Sequence, residues 1–188
     1  MEALRKERRE YFTYADYRTW DDNKRYELID GVPYLMSPAP FLAHQEIAGE
    51  FFGQLRDFLK GKPCKVFIAP VDVRLNADKL DDTVVQPDIL VVCDRSKLDG
   101  KSVQGAPDFI IEILSPSTSK QDVIVKFNKY MQAGVREYWI VDPENKSVVA
   151  HILKDGIYMT RAYDENNEAV PVLVLEGCTI NLKEVFPG

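Results

Sequence analysis

The segment FIIEIL, residues 109–114, constrains the fold more than any other stretch of the chain. It is apolar on both faces except at Glu112, so it is expected to lie centrally in a sheet that is covered on both sides. A helical pattern follows, with Val123, Phe127 and Tyr130 on one stripe, and Gly134 is placed to end that helix. The strand-like segment EYWIVD comes next, so crossover helices are expected to flank the sheet.

The upstream half of the chain predicts one more helix and two long strands. Apolar residues recur at helical spacing from His44 to about Leu59, which predicts a helix with one face in the core. The segments KVFIAPVDVRL and VVQPDILVVC are both interpreted as strands. Asp30-Gly31 and Asp155-Gly156 predict hairpins near the two ends, because Asp-Gly accepts the positive φ angles of a tight turn.

This order of elements predicts an α/β fold with a mixed central β-sheet flanked by helices, and with added N-terminal and C-terminal β-hairpins. A chain of 188 residues that is 45% hydrophobic is expected to form a single domain over residues 1–188. No apolar run is long enough to span a membrane, and the first ten residues are highly charged, which predicts a cytoplasmic protein with no membrane association. The three cysteines, Cys64, Cys93 and Cys178, are expected to be reduced core residues.

Two acids interrupt these apolar strands. Asp88 follows Pro87, which cannot donate a ladder hydrogen bond and therefore marks a bulge or an edge. Glu112 lies between two isoleucines. Either acid alone is explained by a hydrogen bond at a strand end. Two carboxylates in neighbouring apolar strands would repel each other, however, and a hard divalent cation between them would relieve that repulsion. The pair therefore predicts a magnesium-like site.

Several segments carry a family resemblance. The chain closely resembles the Uma-two restriction endonuclease family in several segments. They are QPDI, GAPDFIIEILSPST and AGVREYWIVDP, together with the spacing of Asp122, Lys126 and Tyr130, YELIDG upstream and a histidine at the head of the first helix. That family lies within the PD-(D/E)XK nuclease superfamily, and the resemblance covers about residues 11–150. It implies a restriction-endonuclease-like fold and cleavage of phosphodiester bonds in DNA with Mg²⁺ or Mn²⁺ as cofactor.

One position departs from the superfamily pattern. The superfamily lysine belongs two residues after the second acid, where this chain has Leu114. In some members a lysine on the next helix replaces it, and Lys126 is the candidate because it borders the apolar stripe. The alternative is that Lys126 only pairs with Asp122 on the helix surface, which is worth about 0.2–0.5 kcal/mol.

Two further residues are candidates to line the site. His44 falls on the apolar stripe in the first turn of its helix, where it could equally be a half-buried cap residue. Glu27 alternates with Tyr26 and Leu28 in the first hairpin, where the alternative is a solvated strand face.

The resemblance implies metal-assisted hydrolysis, with Asp88, Glu112 and the backbone carbonyl of Ile113 as metal ligands and Lys126 orienting the attacking water. The net charge of −6 does not suit a generally basic DNA-binding protein. A local cationic approach could be built from three basic residues: Lys120, Lys129 and Arg136. The competing hypothesis is an inert module that keeps the fold and only binds or dimerises. A homodimer is also predicted, since PVLVLEG could leave an apolar strand at a sheet edge.

Overall fold

A computed structural model describes residues 11–36, 42–115 and 120–186. Its α-helices are α1 (Tyr14–Tyr17), α2 (Leu42–Leu59), α3 (Lys120–Ala133) and α4 (Leu182–Val185), and a 3-10 turn covers Arg95–Lys97. Its strands are β1 (Tyr26–Ile29), β2 (Val32–Leu35), β3 (Lys65–Ile68), β4 (Asp72–Arg74), β5 (Val84–Val85), β6 (Ile89–Val92), β7 (Ser102–Gln104), β8 (Phe109–Ile113), β9 (Glu137–Asp142), β10 (Ser147–Lys154), β11 (Ile157–Asp164), β12 (Val170–Pro171) and β13 (Thr179–Ile180).

The main sheet has six strands in the order β11-β10-β9-β8-β6-β3. Strand β8 pairs in parallel with β9 and antiparallel with β6, so the sheet is mixed and FIIEIL lies inside it, as predicted. Helix α3 is the crossover between β8 and β9, and Gly134 ends it with a φ of +88°. The serine and threonine residues expected to cap this helix, at positions 116–119, lie outside the described residues.

Each face of the main sheet packs against a different layer. Ile89 and Ile111 point to the side of α2 and join a core that includes Phe51. Their neighbours Leu90 and Ile110 point to the opposite side and pack with the residues of α3 and of the second sheet. This alternation is what a strand buried on both faces requires, and it confirms the prediction of helices flanking a mixed sheet.

The second sheet has five strands in the order β2-β1-β5-β4-β7. Two of its strands, β4 and β5, arise because both predicted long strands are split. KVFIAPVDVRL forms β3 in the main sheet and β4 in the second sheet, and VVQPDILVVC forms β5 in the second sheet and β6 in the main sheet. The prediction of two continuous strands was therefore wrong. Pro70 and Pro87 have no N–H for a ladder, and the chain changes sheets at both prolines.

Both predicted hairpins are present. Asp30 and Gly31 have φ angles of 49° and 75°, and Asp155 and Gly156 have φ angles of 52° and 80°. Positive φ at both turn positions joins β1 to β2 and β10 to β11 in antiparallel register. The N-terminal hairpin lies in the second sheet, whereas the C-terminal hairpin extends the main sheet to its edge at β11.

The prediction of three reduced cysteines was wrong for two of them. Cys64 and Cys93 form a disulfide, and Cys178 is free and buried. Strands β3 and β6 pair with Lys65 opposite Val92, so the preceding and following residues, Cys64 and Cys93, also face each other. Their sequence separation of 29 residues gave no sign of this pairing, because it depends on the strand register.

The C-terminal segment PVLVLEG is not an apolar edge strand, and that expectation was wrong. Only its first residue belongs to a strand, the short β12, which pairs with β13. Val172 and Leu175 are buried in the core on the side of α2, and the N–H of Val174 donates to Glu137. Leu173 is 46% exposed, but residues 172–177 form turns rather than a strand, so the segment offers no strand edge for a partner. None of the helices in the described ranges is long and apolar enough to cross a membrane.

Candidate active site

The candidate site lies where the chain passes between the two sheets. Asp88 lies in the crossover immediately before β6. The N–H of Ile113 donates a hydrogen bond of 2.8 Å to Oδ2 of Asp88 and holds the carboxylate in position. Nε2 of His44, on the first turns of α2, lies 3.3 Å from the same oxygen. The break at Pro87 therefore directs a carboxylate to the end of β8 rather than into a ladder.

Glu112 points from β8 towards α3. Its Oε1 accepts hydrogen bonds from Nζ of Lys126 at 2.9 Å and from the hydroxyl of Tyr130 at 2.6 Å. The two donors are four residues apart on α3, so they lie on one face of the helix and reach the same oxygen. Lys126 thus lies in the site, although its sequence position differs from that of the superfamily lysine.

Glu27 reaches the same lysine from the second sheet. Its Oε1 lies 2.8 Å from Nζ of Lys126 and accepts a hydrogen bond of 2.9 Å from the N–H of Gln86. Only 2% of the residue is exposed, so the alternative of a solvated strand face was wrong. Because β1 and β8 belong to different sheets, only the packing of the two sheets brings Glu27 and Glu112 to one ammonium group.

Burial and charge perturb the titration of this cluster. Burial raises the pKa of Glu112 to about 7; the ammonium of Lys126 lowers it in part, while the charges of Asp88 and Glu27 raise it further. Burial works to lower the pKa of Lys126, but the carboxylates of Glu112 and Glu27 outweigh burial and hold that pKa above its usual value. The lysine therefore stays charged at neutral pH.

His44 is bound to Asp88 through one ring nitrogen. Burial lowers the pKa of His44, and the hydrogen bond and charge of Asp88, with the backbone of Ile113, more than offset this and raise it. Its other ring nitrogen, Nδ1, is buried and has no hydrogen-bond partner among the residues that the structure describes. A buried ring nitrogen without a protein partner is suited to bind water or a ligand oxygen.

The carboxylates of Asp88 and Glu112 could bind a metal ion through their oxygens. No three His, Cys, Asp or Glu side chains in residues 11–36, 42–115 and 120–186 group as a ready-made metal site. Mg²⁺ does not need such a cage, because it keeps several waters and is held by one or two carboxylates. The N–H of Ile113 points to Asp88, and the carbonyl of a strand residue lies on the same side as its N–H. The carboxylates of Asp88 and Glu112 and the carbonyl of Ile113 are oxygen ligands, the kind that Mg²⁺ and Mn²⁺ prefer.

Two site residues were not among the sequence candidates. Tyr130 had been assigned to the apolar stripe of α3, and its position four residues after Lys126 was the available signal. Gln86 gave no signal, because its contribution is a backbone N–H. The expected cationic approach is only partly described: Lys129 pairs with Asp30, Arg136 pairs with Asp108, and the side chains of Lys120 and Asp122 lie outside the description.

This chain is similar to known proteins in fold and in sequence. A solved structure described as "a putative nuclease belonging to DUF820 from Anabaena variabilis ATCC 29413" superposes with a TM-score of 0.75 at 22% identity, covering 93% of this chain and 97% of that one. At that identity the likeness establishes a common fold, so the restriction-endonuclease-like architecture is confirmed. No curated protein matches the sequence. The model of the Uma2 family, described as "Putative restriction endonuclease", matches residues 14–183. Since that match spans far more than half of the sequence, the chain belongs to the Uma2 family.

Proposed function

We propose that this protein is a divalent-metal-dependent nuclease that hydrolyses phosphodiester bonds of DNA. The observation that carries the proposal is the convergence of buried carboxylates on Lys126 beside the crossover that holds Asp88. The cluster contains one ammonium group, that of Lys126, and three carboxyl groups, those of Asp88, Glu112 and Glu27. A divalent cation would offset the excess of carboxyl groups, and membership of a nuclease family supports the same interpretation.

Asp88, Glu112 and the backbone carbonyl of Ile113 are the groups that would hold Mg²⁺ or Mn²⁺. A cation bound there supplies Lewis-acid chemistry, since it polarises a phosphate and lowers the pKa of a bound water. His44 restrains the Asp88 carboxylate through the 3.3 Å contact, and Tyr130 restrains Glu112 through its hydroxyl. These contacts hold both acids in position before a substrate arrives.

Lys126 provides the fixed positive charge of the site. Its ammonium group stays protonated because two carboxylates surround it. A charged donor held at this position can bind a phosphate oxygen, orient a water beside it and offset the negative charge that grows on the phosphorus centre during attack. This is the role that the superfamily assigns to the lysine two residues after the second acid, and we assign it here to Lys126.

A second candidate function is a nuclease-like module that binds or dimerises without cleaving DNA. Three observations favour it. Oε1 of Glu112 already has two hydrogen-bond donors, from Lys126 and Tyr130, so a cation must compete for this carboxylate. The acidic net charge of −6 and the pairing of Lys129 with Asp30 also give DNA little free positive surface within the described ranges.

Metal titration coupled to a nuclease assay decides between these functions. Wild-type protein is titrated with Mn²⁺ and assayed on single-stranded, duplex and branched DNA, beside Asp88→Asn and Lys126→Met. Glu144→Gln is the matched control, because Glu144 is exposed and lies outside the site. We expect Mn²⁺-dependent cleavage by the wild type and the control, and loss of cleavage in both site variants. Metal binding without cleavage of any substrate would favour the inert module.

A further inference from the structure

Lys126 has two acidic partners that come from different sheets. Its Nζ lies 2.9 Å from Oε1 of Glu112 in the main sheet and 2.8 Å from Oε1 of Glu27 in the second sheet. Both carboxylates are largely buried, with 14% and 2% of their side chains exposed. The ammonium therefore bridges two acids, and the proposed metal site contains only one of them.

The two acids differ in what else they touch. Glu112 is one of the proposed metal ligands, and it lies next to Ile113, whose N–H donates to Asp88. Oε1 of Glu27 instead accepts the N–H of Gln86. The side-chain amide of Gln86 is itself anchored, since it donates to Tyr17 at 3.0 Å and to Asp72 at 2.8 Å. Glu27 is thus held in place by the second sheet, independently of any metal.

A cation on Glu112 would compete with the lysine. An ammonium and a divalent cation that share one carboxylate repel each other, and this repulsion is strong in a site of low dielectric constant. Lys126 has little access to water, because only 15% of its side chain is exposed. A buried ammonium group without an anionic partner would be costly, so the lysine needs another carboxylate. Glu27 offers an anionic partner that is already in contact with Nζ.

We propose that Glu27 is a positioning residue that retains Lys126 in the site when Glu112 turns to a metal, so that Glu27 sets how readily the metal binds. This inference rests on the proposed metal site. It assigns Glu27 to the lysine rather than to the cation. It also explains why a third acid lies buried in a strand that has no other polar function in the site.

A double-mutant cycle on metal affinity tests the inference. The dissociation constant of Mn²⁺ is measured by titration calorimetry for wild type, Glu27→Gln, Lys126→Met and the Glu27→Gln/Lys126→Met double variant. Without Glu27 the lysine has only Glu112 as a charged partner and competes harder with the metal. We therefore expect Glu27→Gln to weaken Mn²⁺ binding by a factor about tenfold larger in the wild-type background than in the Lys126→Met background.

The cycle separates three outcomes. Equal weakening in both backgrounds would mean that Glu27 acts only as a distant negative charge, and the inference would fail while the metal site stands. An absence of Mn²⁺ binding by wild type would overturn the proposed function, and with it this inference. The predicted coupling between Glu27 and Lys126 supports both.

A second measurement covers the case in which Lys126→Met does not fold. Nitrogen-15 NMR of lysine ammonium groups follows Nζ of Lys126 in wild type and in Glu27→Gln during titration with Mg²⁺, which is diamagnetic. We expect the protected Lys126 signal to persist in metal-bound wild type and to broaden into exchange with water in metal-bound Glu27→Gln. Persistence of the signal in both proteins would show that Glu27 is not needed to retain the lysine.

Discussion

Replacement of Glu112 by Gln is the substitution whose effect the structure specifies best. Burial, together with the charges of Asp88 and Glu27, raises the pKa of Glu112 from 4.5 to about 7, even with Lys126 opposing the shift. Each pKa unit corresponds to about 1.4 kcal/mol, so the ionised carboxylate destabilises the folded protein by about 3 kcal/mol above pH 7. Glutamine keeps the shape and can still accept from Lys126 and Tyr130, without the charge.

The sign of this effect depends on pH. Between the unfolded pKa of 4.5 and the folded pKa of about 7, the folded state binds more protons at Glu112 than the unfolded state. The contribution of Glu112 to stability therefore falls as pH rises through this window. We expect Glu112→Gln to match wild type below pH 4.5 and to exceed it by up to about 3 kcal/mol above pH 7. For a chain of this length that difference is roughly 6–12 °C in Tm.

The assay is thermal and urea denaturation in the presence of EDTA at pH 4 and pH 8, with Glu144→Gln as the surface control. A second series contains Mn²⁺ at about 100 times its Kd, which should stabilise wild type by about 2.7 kcal/mol and leave Glu112→Gln unchanged. The reasoning is refuted if Glu112→Gln melts below wild type at pH 8 and wild type shows no shift with Mn²⁺ or Mg²⁺. Glu112 would then be a structural hydrogen-bond partner.

Three further outcomes are expected. Burial lowers the pKa of His151. The contribution of His151 to stability is therefore present above about pH 6.5 and is lost as pH falls below that value. Between pH 7.5 and pH 5.5 the urea midpoint of His151→Leu should fall less than that of wild type. Reduction of the Cys64–Cys93 disulfide should lower the free energy of unfolding by about 3 kcal/mol, and thiol counting in denaturant should find one free thiol before reduction and three after it. The homodimer stays a prediction. The exposed edge strand β11 replaces PVLVLEG as the candidate contact, since its Ile157 and Met159 are 65% and 59% exposed. A mass of 21.5 kDa from light scattering at micromolar concentration would contradict the dimer.

Much of the local structure was predictable because it depends on neighbours in sequence. The helical stripe from His44 to Leu59, the two Asp-Gly turns and the doubly apolar strand around Glu112 each follow from side-chain periodicity or turn geometry. The unusual acids were also visible, since Asp88 and Glu112 interrupt apolar runs whose burial needs no tertiary information. The sequence thus determined the main helices, the turns and the class of fold, and it identified Asp88 and Glu112 as unusual acids.

Tertiary structure decided which elements meet. The change of sheet at Pro87 turns Asp88 towards Ile113, and the packing of the two sheets brings Glu27 within 2.8 Å of Lys126, 99 residues further along the chain. The register of β3 against β6 likewise brings Cys64 opposite Cys93. Periodicity predicts that a side chain is buried, but it does not identify the remote group that this side chain contacts. That partner is fixed by the packing of whole sheets, whose free energy is spread over many apolar contacts distant in sequence.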